Sequence, residues 1–551
     1  MKRFVLMLLA ALGVLAVGAF ASPARAAEPR SCADNSATCT ETLDPIGYEG
    51  QYTGHDEPSL LFYSNTPGAG NSQVYKLRLP TDPPVQPNQL GTAGTFNFQL
   101  HPAFWFGVAM CDTQSSPEYT NTCTPDSDSN IFTSDNPASS NYIGKHPGTA
   151  FMEMQFYPPG WVPWVFGNSC DPTRWCAALT IDSFSQNQNT GQNNNAACLG
   201  TAGIEPVNFA FITKNGIPQA SPNPTTDFQP PFAATTVDPT KDLFMNSGDQ
   251  LVVDLHDTAA GLQIVIHDLT NGQSGSMTAS AANDFRQVLF EPGSPTCHTA
   301  PYNFHPMYST SSVNTRVVWA AHSYNVAFSD EIGHWEYCNA ASSFAGPCAS
   351  AGVSEPDGQL DGDDDGCFNP SDSLLVQIAG CTSTDTDFDG VPYQPVWPGT
   401  DPNRGQDKKY HPSPIEFTSP LFTDAFGFQQ NYDRVAFETD LPRIEFATNP
   451  PCQRHIFNPA DPSPGSGCVN PPAGANFYPI YTTGTANGTP SGSCVWQLGG
   501  PFLKGTTNTF GGTSTAEFGP LLASDYPAPG FTISERYNNF RNIVPTNPCP
   551  G

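Results

Sequence analysis

Residues 249–279 read DQLVVDLHDTAAGLQIVIHDLTNGQSGSMTA, and this stretch decides the fold class. Across Gln250–Asp257 and Gly261–Leu269, apolar and polar residues alternate with the period of two that sends successive side chains to opposite faces of a strand. Ala259-Ala260 interrupts the alternation, and Asn271-Gly272 is a two-residue turn signal, since both positions tolerate the positive φ of tight hairpins. In that register Leu251, Val253, Leu255, Leu262, Ile264 and Ile266 share a core face. Asp254, His256, Gln263 and His267 share the opposite face with Val252 and Val265. An antiparallel meander is expected.

Working outward, further short β-like runs occur at Ser59–Ser64, Gln73–Leu79, Thr95–Leu100 and Ala103–Met110. Others follow at Thr315–Phe328, Pro414–Phe446 and Asn476–Leu522. Long amphipathic helical runs are missing, while 56 prolines and 48 glycines supply turns, so the chain is expected to be all-β. Asp112–His146 and Asp182–Cys198 are polar enough to be loops, with Gln186–Asn195 almost pure Gln, Asn and Gly. The expected organisation is a signal peptide (1–26), a disulfide-rich lead (27–50), a β-sandwich domain (51–345), an acidic calcium-loop segment (346–412) and a smaller C-terminal β-rich domain (413–551).

Secretion is expected from the N-terminus. Met1-Lys2-Arg3 is followed by the apolar stretch Phe4–Phe20 and then by Ala24-Arg25-Ala26, the basic, apolar and small-x-small order of a signal peptide. The formal charge of −30 repels phosphate backbones and anionic lipid, which argues against nucleic acid and membrane as partners. The 16 cysteines form an even set suited to an oxidising compartment, and neighbours such as Cys32/Cys39, Cys111/Cys123, Cys170/Cys176, Cys338/Cys348 and Cys367/Cys381 suggest short staples.

The strongest chemical signal is acidic. Asp361, Asp363, Asp365 and Asp372 occupy positions 1, 3, 5 and 12 of a loop with Gly366 at position 6 and Asn369 at position 9. Carboxylates on alternate residues point into one turn, and the glycine permits the sharp reversal, so a hard dication with all-oxygen ligation fits. Asp385, Asp387 and Asp389, followed by Gly390, repeat the first half. The pattern resembles the calcium loops of thrombospondin type 3 repeats, and a structural calcium ion is expected.

A second signal lies in Ala150–Tyr157, AFMEMQFY. As a strand it puts Ala150, Met152, Met154 and Phe156 on an apolar face, and Phe151, Glu153, Gln155 and Tyr157 on the other. A carboxylate and an amide between aromatic rings is what a sugar cleft needs: rings for the apolar faces of pyranoses, and a carboxyl for acid, base or nucleophile work. The alternative is the polar outer face of a sandwich, with Glu153 merely hydrogen-bonded. The cluster Ser329–Cys338 supplies Asp330, Glu331 and Glu336, of which Glu331 stands as a candidate second carboxylate. His256 and His267 have no identifiable third metal ligand, and no Gly-x-Ser-x-Gly elbow is present.

Two of these stretches resemble the glutamic peptidases, secreted acid-active proteins with a concanavalin-like β-sandwich of jelly-roll type. Ala150–Pro158 (AFMEMQFYP) is similar to their Trp-Tyr-Glu-Trp-Tyr-Pro strand, and Ser247–Gly275 to their Gly-Asp strand and Leu-Thr-Thr-Gly hairpin. The resemblance implies that sandwich. It does not extend to the family's catalytic Glu, which lies in an Asn-x-Glu-Trp context where this chain has Asn314-Thr315-Arg316. The functional expectation is a secreted protein, stabilised by calcium, that binds or hydrolyses an extracellular polymer, foremost a polysaccharide. The alternatives are an acid-active peptidase and a non-catalytic wall or matrix protein. If the acidic loops hold calcium, Asp361→Ala and Asp385→Ala will lower the melting temperature in calcium buffer and leave it unchanged in chelator; equal losses in both would show that no ion is bound.

Overall fold

The computed structural model describes most of residues 55–81, 104–115, 150–157, 170–306, 327–333 and 415–441, with short strands at 340–341, 348–350, 453–454, 465–466, 480–483, 495–498, 507–510, 522–525 and 534–544. The expected signal peptide, the 27–50 lead and, of the acidic segment, 346–347 and 351–412 lie outside the described residues, as does Thr95–Leu100.

The fold is an all-β sandwich of two ten-stranded sheets with antiparallel pairing throughout. The 249–279 meander forms as the alternation dictates. Gln250–Thr258 pairs with Gly261–Asp268 in the register Val253↔Ile266 and Leu255↔Ile264, and Ser274–Thr278 adds the third strand. On its other side Gln250–Thr258 pairs with Ser72–Arg78. Leu251, Val253, Leu255, Leu262, Ile264 and Ile266 are all buried, while Val252, Asp254, Val265 and His267 face outward.

The second sheet holds Phe104–Met110, Ala150–Tyr157 and Arg174–Ser183 side by side, with Val207–Phe211 beyond and Ala327–Asp330 and Ser59–Tyr63 on the other flank. Phe106, Val108, Met152, Met154, Phe156, Leu179 and Ile181 project from it into one core cluster with Tyr75, Leu77, Val253, Leu255 and Ile264 of the first sheet. Burial of each such side chain contributes about 1.5–3 kcal/mol relative to exposure.

The two sheets are unlike in one respect that positions the site. Ser72–Arg78 and Gln250–Thr258 alternate between buried and partly exposed residues, as expected of a sheet with one wet face. Phe104–Met110 and Ala150–Tyr157 are buried at every position. Their sheet is therefore covered on both faces. On its outer face a second apolar cluster joins Tyr157, Cys176, Ala178, Phe209 and Phe211 to Phe244 and Phe228.

Two expectations are corrected here. Strands C-terminal to residue 412 do not make a separate domain. Ile415–Thr418 pairs with Ser72–Arg78, and Arg434–Leu441 pairs with Ser59–Tyr63, so both sheets draw strands from either side of the acidic segment. The physical reason is that Ser59–Tyr63 and Ser72–Arg78 would otherwise present unpaired backbone edges beside the core. Nor is 182–198 a plain loop: Asp182 and Ser183 end the Arg174–Ser183 strand, Gln186–Asn187 pairs with Gln192–Asn193, and Ala196–Thr201 is a short helix. Asn195 caps that helix by accepting from the Cys198 amide, and its own amide donates to the carbonyls of Glu291 (3.0 Å) and Thr296 (3.2 Å). Cys198 is bridged to Cys297, and Cys170 to Cys176 as its spacing suggested.

Leu255→Ala is expected to lower the unfolding free energy by about 2–5 kcal/mol, because the cavity would sit between the sheets. Val265→Thr, on the outward face, should stay within about 0.5 kcal/mol. Chemical denaturation of the two variants checks the assignment of faces.

Candidate active site on the covered sheet face

Glu153, Gln155 and Tyr157 alternate along one strand, so their side chains rise from the same face, away from the inter-sheet core. Burial there demands that each polar group find a partner within the protein. They find one another. The Tyr157 hydroxyl donates to Gln155 Oε1, and the Gln155 amide donates to Glu153 Oε2 at 2.5 Å. Glu153 and Gln155 each keep 6% exposure and Tyr157 none. The relay is thus neither a solvated outer face nor an open groove.

Neighbouring strands complete the surroundings. Gly107 stands opposite Glu153, Trp105 opposite Gln155, and Thr180 on the other side of Glu153. Trp105 meets Phe151 edge-to-face at 5.3 Å. A Cβ at Gly107 would come within 2.5 Å of the Trp105 ring and 2.7 Å of the Phe151 ring, so only glycine lets both rings close beside the carboxylate. Phe151, Gln155 and Tyr157 are therefore gathered around Glu153 as the alternation requires.

The second carboxyl at this face is Asp182, two residues from Thr180 and so diagonal to Glu153 across the strand pair. It accepts a hydrogen bond from the Thr180 hydroxyl at 3.1 Å. Burial holds its carboxyl well above the ordinary aspartate range, and the negative charges of Glu153, Glu205 and Asp227 push the same way. Asp227 is raised too, through burial, although its carboxylate accepts from the amides of Phe209 (3.2 Å) and Phe228 (2.8 Å). Asp182 was the residue that pattern reading missed. It ends an apolar run, WCAALTID, that the sequence reading does not single out, and it falls at the start of the stretch expected to be a polar loop.

Glu331, the expected partner carboxylate, lies outside the described residues, and so do Asp361, Asp363, Asp365, Asp372, Asp385, Asp387 and Asp389. Among the described residues no group of three His, Cys, Asp or Glu side chains is placed to hold a metal. His256 and His267 face outward with separate neighbours, Asp254 at 3.3 Å and Ser274 at 2.8 Å.

Raised carboxyl pKa values make the fold pH-sensitive in a definite sense. Asp242, fully buried beneath the 238–241 turn, is pushed up to about 7 by burial, and Asp268 to about 6 by burial and its contact with Asp249. Between the ordinary carboxylate range and these values the native state binds more protons than the unfolded chain, so stability falls as pH rises through that window. Melting temperature is expected to be highest near pH 4 and to decline toward pH 7. Asp242→Asn keeps the hydrogen bond that Asp242 accepts from the Asp238 amide at 2.7 Å and should flatten the decline. An unchanged slope would show that Asp242 is not a source of it. No family model matches the chain, and no curated protein matches it. Among solved structures, the crystal structure of scytalido-glutamic peptidase with a peptide-based transition-state analogue is similar at 8% identity, covering 68% of this chain and 82% of that one, with a TM-score of 0.19. It belongs to the group that residues 150–158 and 247–275 resemble, and at this TM-score the likeness carries no argument about chemistry.

Proposed function

We propose that this chain is a secreted, calcium-stabilised hydrolase that acts on extracellular polysaccharide at acid pH, with Glu153 and Asp182 as its carboxyl pair. One observation carries the reading: Glu153 and Asp182 are buried on one sheet face, diagonal to each other across a strand pair, where burial first and the charge of Glu153 second raise the proton affinity of Asp182. A carboxyl that keeps its proton beside a second carboxyl is what general acid and general base catalysis at a single site requires.

The proposed roles start from the raised proton affinity of Asp182. Asp182 keeps its proton and donates it to the departing glycosidic oxygen. Glu153 takes a proton from the attacking water, oriented by the Gln155 amide that already contacts its Oε2. Diagonal neighbours on adjacent antiparallel strands stand about 7–8 Å apart. An inverting arrangement, in which roughly 6.5–9.5 Å leaves room for water between the carboxyls, is the one we propose for such a diagonal pair. Secretion agrees with the disulfides, and among the described residues no helix is long and apolar enough to cross a membrane.

Burial of the relay favours a second reading. A closed polar network with every member bonded also serves a non-catalytic wall or matrix protein, for which disulfides and calcium give durability. Reducing-end release from a panel of polysaccharides at mildly acidic pH separates the two. Wild type is expected to release reducing ends, and Glu153→Gln or Asp182→Asn to lose about 10²–10⁴-fold in rate. Cleavage of casein in place of any polysaccharide would make the protein a peptidase; no cleavage of either would leave the structural reading.

A further inference from the structure

Residues 421–431, LFTDAFGFQQN, form a hairpin in which Leu421–Thr423 pairs with Gln429–Asn431. Its base is anchored in the core: Phe422 and Tyr432 are buried with ring centroids 5.1 Å apart, and Leu421 pairs with Val74. Its tip is not. Phe426 is 85% exposed and Phe428 66%, the two most exposed large hydrophobic side chains among the described residues.

The tip is built, not slack. The Asp424 carboxylate accepts from the backbone amides of Phe426 and Phe428 at 2.9 Å each, and from the Gln430 side-chain amide at 3.0 Å. The Asp424 amide donates to the Phe428 carbonyl and the Gly427 amide to the Asp424 carbonyl, both at 2.9 Å. Gly427 adopts φ +84°, which a side chain would resist. Those amides, Phe428's foremost, hold the Asp424 carboxyl below the ordinary range, so it stays ionised and keeps gripping the turn in mild acid. Two aromatic rings are therefore mounted in water on a turn whose ordering is complete before any ligand arrives, which is how a binding surface lowers the entropic cost of association.

Chemistry around the rings selects the ligand. No Lys or Arg occurs between Lys409 and Arg434, Asp424 and Asp433 are acidic, and the chain as a whole carries −30. Phosphate-bearing surfaces, whether anionic lipid or nucleic acid, are repelled. Thr423, Gln429 and Gln430 are exposed beside the rings and offer uncharged donors and acceptors. An aromatic face carries partial negative charge that attracts the C–H face of a pyranose, while neutral amides suit its hydroxyls. We infer that the 421–431 hairpin tip is a second binding site, for neutral polysaccharide, with Phe426 and Phe428 as stacking platforms. The inference shares its ligand class with the function proposed above but none of that site's residues.

Retention of the full-length Glu153→Gln protein on insoluble cellulose, chitin, starch granules and β-1,3-glucan tests it, since binding is then read without hydrolysis. Retention on at least one polymer is expected. The double substitution Phe426→Ala/Phe428→Ala should weaken it by about tenfold or more, with the melting temperature within about 2 °C of the parent. Asp424→Ala, which frees the turn and spares the rings, should weaken it less. No retention of the parent on any of the four, or equal retention of the double variant, overturns the assignment. Phe-dependent capture by phosphatidylcholine vesicles, with none on the polymers, would overturn it in favour of a lipid surface. Because the parent already lacks the Glu153 carboxylate, loss of the catalytic proposal would leave this result standing.

Discussion

The rest of the molecule depends on the burial of both faces of one sheet. A sheet with one wet face can place polar side chains wherever alternation puts them, because water satisfies them. Phe104–Met110 and Ala150–Tyr157 have no such outlet. Each polar group on their outer face must find a protein partner or remain uncharged, and the two consequences appear together. Glu153, Gln155 and Tyr157 bond to one another in series, and Asp182 holds its proton. The covering layer is itself fastened through the same carboxyl chemistry, since Asp227 binds the amide of Phe209 on the neighbouring strand.

That constraint shows which parts of the structure a linear reading could reach. The 249–279 meander was legible because its alternation is local: register follows from a period of two and from one turn, with no information needed from elsewhere in the chain. The identity of the relay was legible for the same reason, as Glu153, Gln155 and Tyr157 are two residues apart on one strand. Its burial was not. Whether an outer face meets water is settled by segments far away in sequence, here Phe228 and Phe244 among others, and strand periodicity carries no trace of them.

The misreadings have the same origin. A Gly/Asp/Pro-rich stretch such as 346–412 looks like a linker, yet strand pairing is decided by which edges need partners, and Ser59–Tyr63 finds its partner at Arg434–Leu441. Likewise Gln186–Asn195 has the composition of a loop. Asn194 and Asn195 are nonetheless 4% exposed each, and their amides reach the carbonyls of Leu289, Glu291 and Thr296. Composition reports what water would tolerate at a position. It does not report that asparagine is also the short side chain able to satisfy several backbone groups at once where two loops are pinned together.

A single cause links the stability of this fold to the chemistry proposed for it. Desolvation raises the proton affinity of Asp112, Asp182, Asp227 and Asp242 alike. For Asp112, bonded to Ser115 and Gln287, and for Asp242, the effect serves only the fold, whose stability it ties to acid conditions. For Asp182, set against Glu153, the same effect creates a proton donor beside a potential base. The two roles cannot be tuned apart by changing burial, because opening the face to water would lower the proton affinity of Asp182 and release the relay together. On the proposed reading, such a protein would act where its buried carboxyls are protonated, and an acid optimum would be a property of the fold before it is a property of the site.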